Sequence, residues 1–171
     1  DAIRTQMVAE KLNFIGRTMS AGQNIDFFQE GVLTGTATDP EALNVQSNEM
    51  WLRARVKSTL LNLQITVPII SSDTDGEAMI TAAIVGTSDG TRANGPITEA
   101  IRNGVISQGK RLNSVQEAAI YGITGDPLAA EQIKSSGWWL QVTATGNVAN
   151  YVLVYATPEQ VRRIVGSHNL I

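Results

Sequence analysis

Ser88, Asp126 and His168 are the residues of this 171-residue chain whose types would together support acyl transfer, and they stand in the order Ser…Asp…His. Ser88 lies in Gly86-Thr87-Ser88-Asp89-Gly90, which matches the G-x-S-x-G nucleophile elbow. His168 is the sole histidine, so it alone would serve as the base that takes the serine proton. An elbow must join a strand to a helix. Here GEAMITAAIV before it has helical character, GTRANGP after it reads as loop, and no HGGG-type segment precedes it to build an oxyanion hole. The match reads as a surface turn, with a small serine hydrolase using Ser88, Asp126 and His168 as the alternative function.

Two further patterns fail on chemistry. Gly104 to Arg111, GVISQGKR, resembles a phosphate-binding loop, but Arg111 stands where a Ser or Thr would hold magnesium, and the segment follows a helical stretch instead of a strand. Asp73 to Glu77, DTDGE, begins like a calcium loop. Its glycine comes at the fourth place where the sixth is needed, and Ile84 stands where the bidentate glutamate belongs. A helix start with Asp75 as cap and Glu77 in the first turn is the better reading. Trp138 and Trp139 would suit stacking on a base or sugar. Adjacent strand residues point to opposite faces, however, so one belongs to the core and the other under a helix or partner. No catalytic residue, cofactor or metal site is expected, and the chain reads as a non-enzyme.

These residues are positioned by elements with clear punctuation. Asp39-Pro40, Asp126-Pro127 and Thr157-Pro158 each place a capping side chain before a proline suited to the first helical position. The first opens a helical segment to about Leu63, with Leu52, Val56, Leu60 and Leu63 on one face. Further helices are expected over the opening DAIRTQMVAEKL, over about Gly76 to Val85, over about Pro96 to Val105, and shortly after Pro127. Strands are expected on both sides of AGQN within Asn13 to Gly35. A second pair is expected at Trp138 to Ala144 and Tyr151 to Ala156, with the chain turning through Gly146 to Asn150. Tyr151 to Ala156 is apolar on both faces, which predicts a central strand. The class is α+β, a mixed or antiparallel sheet with helices packed on it, including the Pro40–Leu63 segment.

Charged residues make up 17% of the chain, against about 25% in typical domains, and the net charge is −3. A weakly charged, slightly acidic surface does not suit a phosphate backbone, so no nucleic-acid partner is expected. No apolar run approaches the roughly 18 residues that span a bilayer, so no membrane partner is expected. The chain has no cysteine, which excludes disulfides and thiolate metal sites. Because it opens at Asp1 inside a helical pattern, it reads as a fragment or processed product.

Read in order, the blocks NFIGRTMSAGQNIDFFQEGVLTG, NEMWLRARVKSTLLNL, AIRNGVISQG, SGWWLQV and YVLVYATPEQVRRIVGSHNLI resemble the C-terminal part of contractile tail sheath proteins of myoviruses, in a sheath-like branch. They run from Asn13 to the end, and their order and spacing carry the resemblance. The family's N-terminal arm and outward-facing domains have no counterpart among them. The resemblance implies a single domain over 1–171 that corresponds to the inner, tube-facing part of a structural virion protein. Such subunits form stacked hexameric rings that polymerise around the tail tube and contract to drive it into the host. Implied partners are neighbouring sheath subunits, the tail tube protein and the baseplate; the implied location is the bacteriophage tail, assembled in the host cytoplasm. A tail-tube protein is a further alternative, but tubes are closed β-barrels and this chain carries several capped helices.

Within that frame the last residues, Ser167, His168, Asn169, Leu170 and Ile171, have the character of a strand exchanged with a neighbouring subunit by addition to its sheet edge. The alternative is that they pair with their own domain's sheet. Arg162 and Arg163 would face solvent or contact the tube.

Overall fold

The computed structural model describes residues 2–20, 22–29, 31–33, 42–86 and 95–158. Their contacts divide the chain into two units, Asp1–Ala54 and Arg55–Ile171. The fold is α+β, with helices and antiparallel hairpins in separate runs along the chain.

The first unit opens with α1 (Ala2–Ala9), followed by β1 (Phe14–Ser20) and β2 (Gln23–Gln29). The hairpin expected around AGQN forms, and Gly22 supplies the positive φ of 77° its turn requires. The register sets Ile15 opposite Phe28 and Arg17 opposite Asp26. On the other face the Phe27 ring lies over Gly16, so close that a Cβ there would come within 2.6 Å of it. The aromatic ring fills the space that the glycine leaves. Asn13 then performs the work of a strand partner with its side chain: its amide nitrogen donates to the Val32 carbonyl and its amide oxygen accepts from the Val32 N–H, both at 2.8 Å. An isolated bridge joins Val32 to Ala42. Helix α2 (Leu43–Thr66) follows and carries the chain into the second unit. Asp39 and Pro40, expected to open this helix, lie outside the described residues, and the described helix starts at Leu43. The expected apolar face is present, with Leu52 and Val56 buried and Leu60 and Leu63 half-buried.

In the second unit, α3 (Thr74–Val85) is capped by Asp73, whose carboxylate accepts from the N–H groups of Asp75 and Gly76. This corrects the expected cap, Asp75. Helix α4 (Pro96–Arg102) is shorter than expected; it starts with proline at its first position and is tied to the end of α3 by the Thr98 hydroxyl, which donates to the Val85 carbonyl at 2.6 Å. Helix α5 (Ser114–Thr124) starts at a reciprocal capping box, Asn113 with Gln116, and stops at Gly125 in the left-handed conformation. Helix α6 (Ala129–Ser136) ends at Gly137, also left-handed, and passes straight into β3 (Trp138–Thr145). A turn at Gly146 and Asn147, tighter than the expected Gly146–Asn150, leads to β4 (Val148–Tyr155).

Ile120, Ala129, Ile133, Trp139 and Ala156 form one buried cluster, with Leu112, Ala130 and Val154 packed against it. Ile84, Ile97 and Ala100 are fully buried on α3 and α4. Each such large apolar side chain contributes about 1.5–3 kcal/mol on burial. The helices with the closest backbone approach to β3 are α3 and α6, while the end of the α2 segment expected to cover the sheet borders it across a cavity. The reason is connectivity. Gly137 feeds α6 directly into β3, while Glu77 of α3 accepts a hydrogen bond from the Ala144 N–H at 2.8 Å. Leu60, Leu63 and Gln64 in the last turns of α2 line a cavity of about 80 Å³ together with Val142 and Tyr151.

Candidate functional site

Of the three residues that would make a hydrolytic triad, Asp126 is the one the structure locates; Ser88 and His168 lie outside the described residues. Both carboxylate oxygens of Asp126 are in use. Oδ1 accepts from the Leu128 N–H at 2.9 Å, which shapes the turn into α6, and Oδ2 accepts from the buried Trp139 indole Nε1–H at 3.0 Å. Asp126 does not cap α6 as expected: the cap position is Leu128, without a side-chain cap bond, and Asp126 instead fixes the turn before it. An aspartate orienting a catalytic histidine needs an oxygen aimed at that ring. Here each oxygen already accepts one bond from the fold, which leaves each a second acceptor site.

The segment resembling a phosphate-binding loop is a connection between α4 and α5. Gly104 and Gly109 both take a φ of 70°, and Val105 and Ile106 between them are buried. No helix begins at its end to offer amide groups to phosphate, since α5 starts only at Ser114. The Lys110 ammonium donates to the Thr157 carbonyl at 3.0 Å. In the segment resembling a calcium loop, the Ser71 hydroxyl and then the Gly76 amide hold the Asp73 carboxyl below its ordinary pKa. That carboxylate is an anionic helix cap. Among the described residues no three His, Asp or Glu side chains gather as a metal would require. The tryptophan pair divides as expected, with Trp139 in the core and Trp138 half-buried on the opposite face.

No protein-family model matches the chain, and a search of curated proteins finds no match either.

The feature that stands out physically is the β3–β4 hairpin and its two unequal edges. The Ala144 N–H points out of the ladder, because it donates to Glu77. By alternation the amides of Val142 and Leu140 point the same way, toward the side on which α3 rests. At the base of the hairpin, Ala156 N–H donates to the Gly137 carbonyl and Ser107 N–H to the Ala156 carbonyl, both at 2.8 Å. The β3 edge is therefore capped at Ala144, on the strand against which α3 rests.

The β4 edge is different. Ala149, Tyr151 and Leu153 stand opposite Ala144, Val142 and Leu140, so their backbone groups point away from β3. Among the described residues no strand pairs on that side. Among the described residues, the strand expected to be central is one strand of a two-stranded sheet. Its sequence, VANYVLVY, lacks the charges, prolines and bulges with which proteins blunt an edge. Val148 is 59% exposed, Tyr151 42% and Val152 40%. An edge that is apolar on both faces and unpaired is a template for another strand. The tail Ser167, His168, Asn169, Leu170 and Ile171 and the pair Arg162 and Arg163 lie outside the described residues. Sequence reasoning located this strand and placed Glu77 in the first turn of α3, but missed its bond to Ala144, a partner 67 positions away.

Proposed function

We propose that the chain is a structural subunit of a contractile tail sheath, the virion protein that surrounds the tail tube of a bacteriophage. The observation that carries this reading is the open apolar edge of β4. Among the described residues no strand pairs with it, and Val148, Tyr151 and Val152 on it are exposed, as a polymerising subunit needs. The resemblance of the ordered sequence blocks supplies the identity of the polymer. In this reading Ser167 to Ile171 are donated to a neighbouring subunit's sheet edge. Five extended residues reach roughly 17 Å, enough to pair along most of β4. Arg162 and Arg163 face the tube, and the neighbours are sheath subunits in stacked hexameric rings, the tube protein and the baseplate. The segment of Ser88 follows helix α3 where a nucleophile elbow follows a strand, which weighs against the hydrolase alternative.

Electron microscopy of the chain at high concentration tests the proposal. Rings or sleeves are expected, and deletion of Ser167–Ile171 should abolish them while leaving the circular-dichroism melt unchanged. A monomer whose melting temperature falls by several degrees on that deletion would show instead that the tail completes its own sheet. Unchanged assembly without the tail would defeat the strand-exchange mechanism, and dispersed monomers at every concentration would count against a sheath.

A further inference from the structure

Asn103 is followed by Gly104, and the pair sits where α4 ends. Asn103 is the cap, with φ −84° and ψ 2°, and Gly104 takes a φ of 70°. Both residues are exposed, and a Cβ built on Gly104 would meet nothing within 4 Å. The Gly104 amide donates to the Ile101 carbonyl at 3.1 Å, the last bond of the helix end. The next two residues, Val105 and Ile106, are buried, and their amides both donate to the Ala100 carbonyl, at 2.8 and 3.2 Å. An open peptide bond therefore stands directly before a fixed one.

We propose that Asn103 is a site of spontaneous deamidation, gated by the last turn of α4. The deprotonated amide nitrogen of Gly104 attacks the Asn103 Cγ. The N–Cγ bond forms, the Cγ–Nδ2 bond breaks, and Nδ2 takes up a proton and leaves as ammonia. Water then opens the resulting succinimide ring. Cleavage at Cγ gives aspartate; cleavage at the main-chain carbonyl carbon of residue 103 gives isoaspartate, in which the chain runs through the side chain. One water is consumed, one ammonia is released, and nothing is oxidised or reduced. Glycine favours the ring because no Cβ crowds the attacking nitrogen. The observed ψ turns that nitrogen away from the Asn103 side chain, so the Cα–C bond must rotate and the bond to Ile101 must break first. Helix ends open at low free energy, which makes the gate slow but passable. Asp75-Gly76 could form the same ring, yet there the nitrogen donates to Asp73 Oδ1 at 3.2 Å and Gly76 is buried against the Ser71 carbonyl. At residue 103 the damage has a direction. Isoaspartate lengthens the main chain by one methylene just ahead of Val105 and Ile106. Either product also adds a negative charge at a helix C-terminus, where the dipole disfavours it. The proposal stands whether or not the chain builds a sheath.

Incubation of the full chain at mildly alkaline pH, below its melting temperature, tests this by peptide mapping with mass spectrometry. Asn103 should convert to isoaspartate and aspartate about tenfold more slowly than in a synthetic peptide of residues 97–108, as reaction through local opening requires. Thr98→Ala, which removes the hydroxyl that ties α4 to the Val85 carbonyl, should raise the rate several-fold in the folded chain and leave the peptide's rate unchanged. Thr98→Ser keeps that hydroxyl and should react like the wild type. Asn147, also exposed but followed by Val148, should stay intact over the same period. In the isoaspartyl form, separated by ion exchange, the amides of Val105 and Ile106 should lose protection. No product at Asn103 over many half-lives of the peptide would overturn the proposal, as would conversion of Asn147 at an equal rate. Conversion at the peptide's own rate, or no response to Thr98→Ala, would overturn the gate.

Discussion

The two hairpins of this chain have nearly equal strand lengths and opposite energetics. The β3–β4 hairpin is backed on one face by a core that includes Trp139, and one of its edges is capped by a carboxylate from α3. The β1–β2 hairpin shows exposed side chains on both faces: Ile15 at 78%, Met19 at 73% and Phe28 at 59% on one, and Ile25 at 47% on the other. It is held in register by local devices, the Arg17–Asp26 pair and the ring of Phe27 over Gly16. A two-stranded ribbon alone is marginal in water. What distinguishes the two is therefore burial, since both have complete ladders. Stability should concentrate in the second hairpin, and the first should respond mainly to its own local pairs.

The comparison can be broken most severely at Trp139. Trp139→Ala removes a buried aromatic and leaves Asp126 without its indole donor, and should cost about 3–5 kcal/mol in a denaturant titration. A loss below 1 kcal/mol would mean that the second hairpin is not supported by its core. Gly137→Ala comes next. Its φ of 85° is strained for any L residue, and the added Cβ would lie 2.5 Å from the Ser107 carbonyl oxygen. The expected loss is about 2 kcal/mol or more, read as a fall in melting temperature.

Glu77→Ala should produce a smaller effect, about 1 kcal/mol, concentrated at the β3 edge. Amide exchange at Ala144 should speed up, and Glu77→Gln, which keeps an acceptor oxygen, should restore much of the protection. The smallest effect concerns the first hairpin. The Arg17 guanidinium holds the Asp26 carboxyl below its ordinary pKa, and the carboxylate in turn raises that of Arg17. The folded-state pKa of Asp26 is depressed, so its contribution is fully present above the unfolded value near 3.9 and is lost as pH falls through the folded one. Protection factors of β1–β2 amides, corrected for the intrinsic pH dependence of exchange, should therefore fall as pH drops below about 4, while Asp26→Asn should show the lower protection already at neutral pH. Both side chains are exposed, so the global melting temperature should hardly move.

Much of this architecture was legible because periodicity reports burial. The apolar face of α2, the first hairpin and both strands of the second were readable from spacing alone. Helix α5 was missed although its capping box and its glycine stop are plain in the sequence, because Val115 and Ile123 on it remain exposed and blur the apolar stripe. The cap of α3 was placed at Asp75 instead of Asp73. Two aspartates two residues apart compete, and Asp73 is the one that accepts from the Ser71 hydroxyl and from the Asp75 and Gly76 amides. Strand β4 was expected to be central because both its faces are apolar, yet composition does not say whose strand will lie beside it. The bond from Ala144 to Glu77, which makes the two edges unequal, left no local mark.

The joint between α6 and β3 sets how the second hairpin would bear load. In an antiparallel hairpin the start of β3 and the end of β4 lie side by side, as Trp138 opposite Tyr155. Tension applied through the chain beyond Thr157 would thus pull on the same end at which α6 anchors the hairpin. That geometry peels a ladder one rung at a time, whereas shear would load all rungs together. The rungs at this end are the ones reinforced: Ala156 to Gly137, Ser107 to Ala156, and Lys110 to Thr157. A peel must break these braces before it reaches the first pair of the ladder, so the force the hairpin withstands is set at its base, by residues outside either strand.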